Sequence, residues 1–94
     1  MVYFIVAIHS DKKRKEDYET YIRLVKPIVG KYGGRYLIRS DKVTPLQKEW
    51  CPERFIVIEW NTKEQLEACF SSKEYRAIAA LRENSVDSRA IIVE

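Results

Sequence analysis

Two segments of this chain are apolar at consecutive positions instead of alternating ones, a pattern typical of β-strands buried on both faces. The segments are residues 1–8 (MVYFIVAI) and residues 54–60 (RFIVIEW). Both are rich in β-branched and aromatic side chains, which fit a pleated sheet. At 94 residues the chain has room for one hydrophobic core. We therefore expect residues 1–94 to form a single domain around a sheet in which these two strands are central.

A helix is predicted between these two strands. From Tyr18 onwards, apolar side chains recur at spacings of three and four residues and so line one face of a helix. The stripe comprises Tyr18, Tyr21, Ile22, Val25, Ile28, Val29 and Tyr32. Pro27 lies inside the stripe and is expected to kink the helix without ending it. Gly33 and Gly34 follow and are expected to end the helix in a left-handed turn.

The remaining predicted elements are shorter. Residues 35–39 (RYLIR) alternate and carry charges at both ends, which is typical of an edge strand, and residues 41–52 connect them to the second central strand. A capping box at residues 62–65 opens a second helical region. A further capping box begins at Ser71, so this helical region is expected to break there and restart. Residues 89–94 close the chain as a strand.

The resulting order, βαββαβ, predicts an α+β protein with a ferredoxin-like antiparallel sheet. Its strand order would be 4-1-3-2 with both helices on one face, so the other face would expose one apolar set. That set is either Tyr3, Ile5, Ala7, Phe55 and Val57 or Phe4, Val6, Ile8, Ile56, Ile58 and Trp60. Either set is larger than the apolar patch that a monomer usually exposes. We therefore expect a homodimer that packs sheet face on sheet face.

Composition narrows the class of protein. The net charge is only +3, because 17 basic residues are interleaved with 14 acidic ones, and 46% of the residues are apolar, as in an ordinary soluble protein. The apolar run at residues 2–8 is far shorter than the roughly 20 residues that span a bilayer, and no basic segment precedes it as in a signal peptide. Cys51, Cys69 and the single histidine do not have the spacing of a zinc site, so we expect no metal. We also expect no cofactor, and the short apolar run indicates no membrane partner. Reduced thiols in the cytoplasm are the expected state.

Basic side chains are predicted to gather at one end of the sheet. The ends of the first two strands meet the starts of the other two there, beside the amino terminus of the first helix. The side chains concerned are His9, Arg39, Arg54 and Arg89. A helix amino terminus carries about half a positive charge, so this end suits a small carboxylate or another anionic ligand. Histidine titrates near neutral pH, which makes His9 a candidate for catalysis. The alternative is that these are strand-end charges neutralised by nearby carboxylates, namely Asp11, Asp41, Glu53 and Asp87.

Glu59 and Trp50 are further candidates. Glu59 is expected to form an ion pair with Arg35 across the second and third strands. Alternatively it is a catalytic general base in a pocket lined by nearby aromatic side chains, namely Tyr32, Tyr36 and Trp60. Trp50 lies in a turn and either lines a ligand pocket or closes the core or a dimer contact. The sequence has no nucleophile motif and no glycine-rich phosphate loop.

Nucleic-acid binding is disfavoured. RNA-recognition domains share the βαββαβ order, but they stack bases on aromatic side chains of a basic, glycine-containing third strand. Here residues 55–60 (FIVIEW) lack glycine and carry a single charge, which is negative. The basic run at residues 12–15 is suited to phosphate contact, yet Glu16, Asp17 and Glu19 follow it at once. This pattern favours a solvated helix entry over a nucleic-acid partner.

Three separated motifs resemble one known family. They are residues 31–37 (KYGGRYL), residues 46–60 (LQKEWCPERFIVIEW), and a carboxyl-terminal set of residues 72–75, 81–82 and 87–94 (SKEY, LR and DSRAIIVE). In this order they resemble the family known as domain of unknown function thirteen-thirty (DUF1330), within the dimeric α/β-barrel superfamily. The resemblance implies a ferredoxin-like protomer and a homodimer. It implies no activity, because the family has none assigned.

These patterns lead to one functional hypothesis and one alternative. The hypothesis is a homodimer of unassigned activity that binds a small molecule, with an anionic metabolite as the favoured ligand. The alternative follows from the resemblance: an enzyme similar to the cofactor-independent monooxygenases or isomerases of the same superfamily. A pocket between sheet and helices that holds a titrating group distinguishes an active site from a binding module.

Overall fold

The computed structural model describes residues 1–10, 15–83 and 86–94, which form four strands and three helices. In chain order the elements are β1 (Val2–Ser10), α1 (Lys15–Lys31), β2 (Arg35–Ser40), β3 (Arg54–Trp60), α2 (Lys63–Ser71), α3 (Lys73–Glu83) and β4 (Val86–Val93). The second helical region is divided into two helices, as its two capping boxes predict. Among these described residues, no helix is both long enough and apolar enough to cross a membrane.

The strands form one antiparallel sheet in the order β2-β3-β1-β4, which is the predicted 4-1-3-2 order read from the other edge. β1 and β3 are the central strands, and Val6 lies opposite Ile56 in their register. The two segments that are apolar at consecutive positions are therefore the two with a strand on each side. The ferredoxin-like α+β fold expected from the sequence is confirmed.

Helix α1 ends as its glycines predict. Gly33 has a φ of +87°, a left-handed conformation that residues with a Cβ atom rarely adopt. Its N–H donates to the carbonyl of Gly30 (3.1 Å), and the N–H of Gly34 donates to the carbonyl of Val29 (2.9 Å). These are the two hydrogen bonds of a Schellman cap, which turns the chain directly into β2. Upstream, α1 runs through Pro27 without ending there, as expected.

The two capping boxes differ in where the cap lies. Thr62 caps α2 as predicted, because its hydroxyl accepts a hydrogen bond from the backbone three residues on at 3.2 Å. The cap of α3 is Ser72 and not Ser71, which is the last residue of α2. The Ser72 hydroxyl accepts from the N–H of Tyr75 (3.1 Å) and donates to the carbonyl of Cys69 (2.7 Å). One hydroxyl therefore serves the end of α2 and the start of α3 together.

The helices cover one face of the sheet, and the hydrophobic core lies between the helices and the sheet. Trp60 is fully buried there, and its ring meets that of Phe70 of α2 edge-on with centroids 5.8 Å apart. Tyr18 and Tyr75, predicted to lie on buried helical stripes, are both core residues. The other buried members of this core are Val2, Val6, Ile8, Ile56, Ile58, Tyr21, Val25, Val29, Leu66, Cys69 and Ile78.

The opposite face carries apolar side chains that no described helix covers. The β1–β3 register places the odd-numbered residues of both strands on this face, because the even-numbered ones are buried against the helices. β4 adds Ile91 and Val93, which are exposed. Of the two sets that the sequence left open, the first is therefore the uncovered one. We call this surface the open sheet face: Tyr3, Ile5, Ala7, Phe55, Val57, Ile91 and Val93.

Candidate ligand-binding cleft

The four basic residues predicted to gather at one end of the sheet lie on two different faces. His9 and Arg89 lie on the side of the open sheet face. Arg39 and Arg54 lie on the helix-covered side, where each is opposite a buried isoleucine of the neighbouring strand. The predicted single cluster does not form, because side chains alternate along each strand and so separate one pair from the other.

A bulge in β2 puts Arg39 on the helix-covered side. The register with β3 shifts between Tyr36 and Ile38, so Leu37 is the extra residue of the bulged strand. Simple alternation from Tyr36 would turn Arg39 towards the open sheet face. With the bulge, Ile38 takes that direction and Arg39 turns towards the helices. The sequence pattern of residues 35–39 does not reveal this reversal.

Arg39 and Arg54 lie over aromatic rings at the rim of the space between sheet and helices, which we call the cleft. The guanidinium carbon of Arg54 is 6.0 Å from the ring centre of Tyr18, and that of Arg39 is 5.5 Å from the ring centre of Tyr36. Both distances are within cation–π range. Across the β2–β3 pair the two arginines are diagonal neighbours, with Cβ atoms about 7 Å apart. Neither forms an ion pair with a carboxylate of the described residues.

The cleft encloses a cavity of about 40 Å³. Apolar side chains of β1, β3 and α1 form most of its lining, and its polar groups are Tyr18, Tyr21, Tyr36, Arg39 and Arg82. One water-sized group needs about 10–15 Å³ of such space, so the cavity has room for about three heavy atoms. A carboxylate is a group of this size.

The phenols of the cleft hold their protons at neutral pH. Burial raises the pKa of Tyr18 to about 12, although the positive charges of Arg54 and Arg39 oppose that rise. Burial also raises the pKa of Tyr36. The pKa of Tyr21 is raised by burial and by the neighbouring phenol of Tyr75, whose oxygen is 3.0 Å away. These phenols can donate hydrogen bonds to an anion but are poor general bases.

Arg82 is a cleft residue that the sequence reasoning did not single out. It borders the cavity from α3, and its positive charge opposes the rise in pKa that burial causes at Tyr18 and Tyr21. A signal for it was present in the sequence. Arg82 follows Tyr75 and Ile78 at the spacing of one helical stripe, and both of these are buried. A charged residue at a buried stripe position is a reason to look for a site.

Glu59 lies at the other end of the sheet, on the side of the open sheet face. Its Oε1 accepts a hydrogen bond from Arg35 Nη2 at 2.8 Å, so the predicted cross-strand ion pair is confirmed. This hydrogen bond lowers the pKa of the Glu59 carboxyl, which therefore stays ionised and paired at neutral pH. The predicted aromatic pocket around it does not form, because Trp60 and Tyr36 face the helices.

Trp50 lies outside the cleft. It belongs to the connection between β2 and β3, residues 41–53, and 52% of its surface is exposed. Together with Phe55 and other residues of this connection it lines a groove of about 410 Å³. Because Phe55 belongs to the open sheet face, the groove is continuous with that face and not with the cleft. A ligand-binding role for Trp50 stays a prediction.

The remaining chemical groups add no second site within the described residues. Cys51 and Cys69 are free thiols, and burial raises the pKa of Cys69 to about 11, which makes it unreactive. The part of the chain that the structure describes has no group of three side chains able to hold a metal ion. The basic residues at positions 12–14, considered for phosphate contact, lie outside the described residues.

Sequence comparison gives one match across the whole chain. The model of the family described as domain of unknown function DUF1330 matches residues 1–94. A search of curated proteins finds no match. The match covers all three motifs quoted above, and its description carries no activity.

Solved structures of three other proteins share the fold. A protein of unknown function from Rhodopseudomonas palustris is 16% identical, with a TM-score of 0.84 over 98% of this chain and 79% of that one. An Arabidopsis thaliana protein is 12% identical, with a TM-score of 0.78 over 100% and 94%. SnoaB, a cofactor-independent oxygenase from Streptomyces nogalater, is 11% identical, with a TM-score of 0.68 over 99% and 90%. At these identities the likeness concerns the fold alone.

Proposed function

The chain belongs to the DUF1330 family, and from its own geometry we propose that it is a homodimer that binds a small carboxylate in the cleft. Arg39 and Arg54 hold the anion, and Tyr18 and Tyr36 support the two guanidinium groups from below. Arg82 adds positive charge from α3. The two free thiols favour the reducing cytoplasm as its location.

The observation that carries this proposal is the pair of arginines at the rim. Both guanidinium groups lie over buried or half-buried rings, and neither is paired with a described carboxylate. A guanidinium group forms short, bidentate hydrogen bonds with a carboxylate. Arg39 and Arg54 are diagonal neighbours across β2 and β3, with Cβ atoms about 7 Å apart, so both side chains can reach a single anion between them. Arg39 and Tyr18, whose ring lies under Arg54, both line the cavity of about 40 Å³, which accepts a group of carboxylate size.

The homodimer is supported by the open sheet face. Ile91 is 59% exposed, and it lies in register with Ile5 and so extends the apolar surface of the central strands. Packing against a second copy removes this surface from water without a different partner. The resemblance to the dimeric α/β-barrel superfamily points to the same arrangement.

A cofactor-independent oxygenase is the alternative, because SnoaB shares the fold. A reaction that uses a side chain as general base needs that base within hydrogen-bond reach of the substrate in the site. The raised pKa of Tyr18 and of Tyr36 makes these phenols poor bases at neutral pH. His9 and Glu59 are on the other side of the sheet. These observations favour binding over this reaction.

The test is a thermal shift with propionate, and propionamide serves as a neutral probe of the same shape. We expect propionate to raise the melting temperature at constant ionic strength and propionamide to leave it unchanged. Arg39→Gln and Arg54→Gln should each weaken propionate binding roughly tenfold or more, because each removes a charge-assisted hydrogen bond. Arg89→Gln removes an arginine from the other side of the sheet and should bind propionate like the wild type.

Two results would contradict the cleft proposal. One is equal stabilisation by the acid and the amide, which would mean that charge is not recognised. The other is a propionate response that survives in Arg39→Gln and Arg54→Gln but disappears in Arg89→Gln, which would move the site to the open sheet face.

A further inference from the structure

The loop between β2 and β3 exposes apolar side chains that its own fold does not cover. Residues 41–53 form neither helix nor strand. Leu46, near the middle of this loop, is 99% exposed, and Trp50 exposes half of its surface. Connections of this length without secondary structure are uncommon in compact domains. We call residues 41–53 the arm.

The arm is held at both ends. At its start the N–H of Lys42 donates to the hydroxyl of Ser40 (3.0 Å), and at its end the N–H of Glu53 donates to the carbonyl of Ile8 in β1 (2.9 Å). Two prolines, at positions 45 and 52, restrict the backbone between these points. The arm therefore presents its apolar side chains from an anchored backbone, which lowers the entropy that binding would cost.

The arm and the open sheet face form one continuous apolar surface. The groove of about 410 Å³ beside the arm is lined by Leu46, Trp50 and Pro52 on the arm and by Phe55 on β3. Phe55 is opposite Ala7 on the two central strands, at the end of the sheet where the arm joins β3, so it belongs to both surfaces. Whatever covers the open sheet face therefore reaches the groove as well.

We propose that the arm contacts the second copy of this chain and that Leu46 and Trp50 become buried in the dimer. This inference rests on the homodimer proposed above and adds a second contact to it. The open sheet face has seven apolar residues. A stable interface takes about 20–30 residues from each partner. The arm lies beside the sheet face and supplies further contact residues.

The charge pattern of the arm fits an interface between copies. Its apolar residues are flanked by exposed charged residues of both signs, namely Asp41, Lys42, Lys48, Glu49 and Glu53. An apolar centre with a charged rim is the usual anatomy of a protein interface. Mixed charges allow two identical surfaces to meet without net repulsion.

The experiment is sedimentation velocity over a range of concentrations for the wild type and three variants. Leu46→Asp should raise the dissociation constant of the dimer about a hundredfold, since a buried leucine accounts for roughly tenfold per copy and the two-fold axis counts it twice. Cys51→Asp introduces the same new charge at an exposed arm residue that does not line the groove, and it should dimerise within a few-fold of the wild type. Val57→Asp, in the centre of the open sheet face, should give a monomer.

The outcomes separate the arm from the dimer itself. If Leu46→Asp dimerises like Cys51→Asp while Val57→Asp is monomeric, the arm proposal is overturned and the sheet-face dimer stands. The arm is then open to a different partner. A wild type that is monomeric at micromolar concentration overturns both proposals. Leu46 is exposed in the protomer, so Leu46→Asp should keep the wild-type circular dichroism spectrum.

Discussion

At the scale of single residues, the three glycines face different surroundings. A Cβ atom on Gly34 would be 2.5 Å from Val29 Cγ1 and 2.8 Å from the ring of Trp60, so the helix, the turn and the strand meet there without spare room. Gly33 has space for a Cβ atom but has a left-handed backbone. Gly30 lies inside α1 with nothing within 4 Å. The fold therefore needs glycine at positions 34 and 33 but not at position 30.

Alanine substitutions at Gly34 and Gly30 should therefore change the free energy of unfolding in opposite directions. Gly34→Ala should lower the free energy of unfolding by about 1–3 kcal/mol, because a buried valine and tryptophan would have to shift. Gly30→Ala should raise it by about 0.5–1 kcal/mol, because alanine is the better helix former. Urea denaturation measures both. Equal stability of the two variants would show that the close approach at Gly34 is absent in solution.

At the scale of elements, one hydroxyl joins two helices. Ser72 accepts a hydrogen bond from α3 and donates one to α2, so the break between the helices depends on it. The neighbouring Ser71 carries the same hydroxyl group, and it is Ser71 that stands three residues before an acidic side chain, Glu74. The sequence motif therefore fits Ser71, but α2 continues through it and its side chain is exposed.

Replacing each serine by alanine should distinguish the cap from its neighbour. Ser72→Ala should lower the free energy of unfolding by about 1–2 kcal/mol, since it removes the hydrogen bond that satisfies the start of α3. Ser71→Ala should change it by less than about 0.5 kcal/mol, as at an ordinary exposed position. Chemical denaturation monitored by circular dichroism is the measurement. A larger loss in Ser71→Ala would place the cap where the motif alone predicts it.

At the scale of the whole molecule, buried phenols lie on the helix-covered face of the sheet. The free energy of unfolding should therefore vary with pH in the alkaline range. The pKa of Tyr18 is raised by burial from 10.0 to about 12, and those of Tyr21 and Tyr36 are raised by the same cause. When the pKa of a group is higher in the folded state than in the unfolded state, its contribution to the free energy of unfolding is complete at pH values below the unfolded pKa. That contribution is lost as the pH rises from 10.0 through the folded value.

The titration of these phenols should therefore leave the free energy of unfolding unchanged below about pH 9 and should lower it above about pH 10. Tyr18→Phe removes one of them, so its stability should decline less steeply over the alkaline range. Urea titrations at a series of pH values measure this difference. Parallel curves for the wild type and Tyr18→Phe would contradict the burial of this phenol.

Much of the fold was predictable from the sequence because it depends on local patterns. The consecutive apolar residues of β1 and β3 indicated their central places, and the stripe from Tyr18 indicated α1. The cross-strand pair of Arg35 and Glu59 followed from the hairpin order. The cleft was less predictable, because its residues come together only when the faces of the strands are known.

The sequence by itself determined the order of the elements, the central strands and the ends of α1, since each depends on side-chain period or on glycine within a few residues. Only the tertiary structure decided which face each side chain takes. A bulge at Leu37 reverses the direction of Arg39, and alternation then separates Arg39 and Arg54 from His9 and Arg89. Strand register depends on pairing between distant segments, and one extra residue changes the face of every side chain that follows.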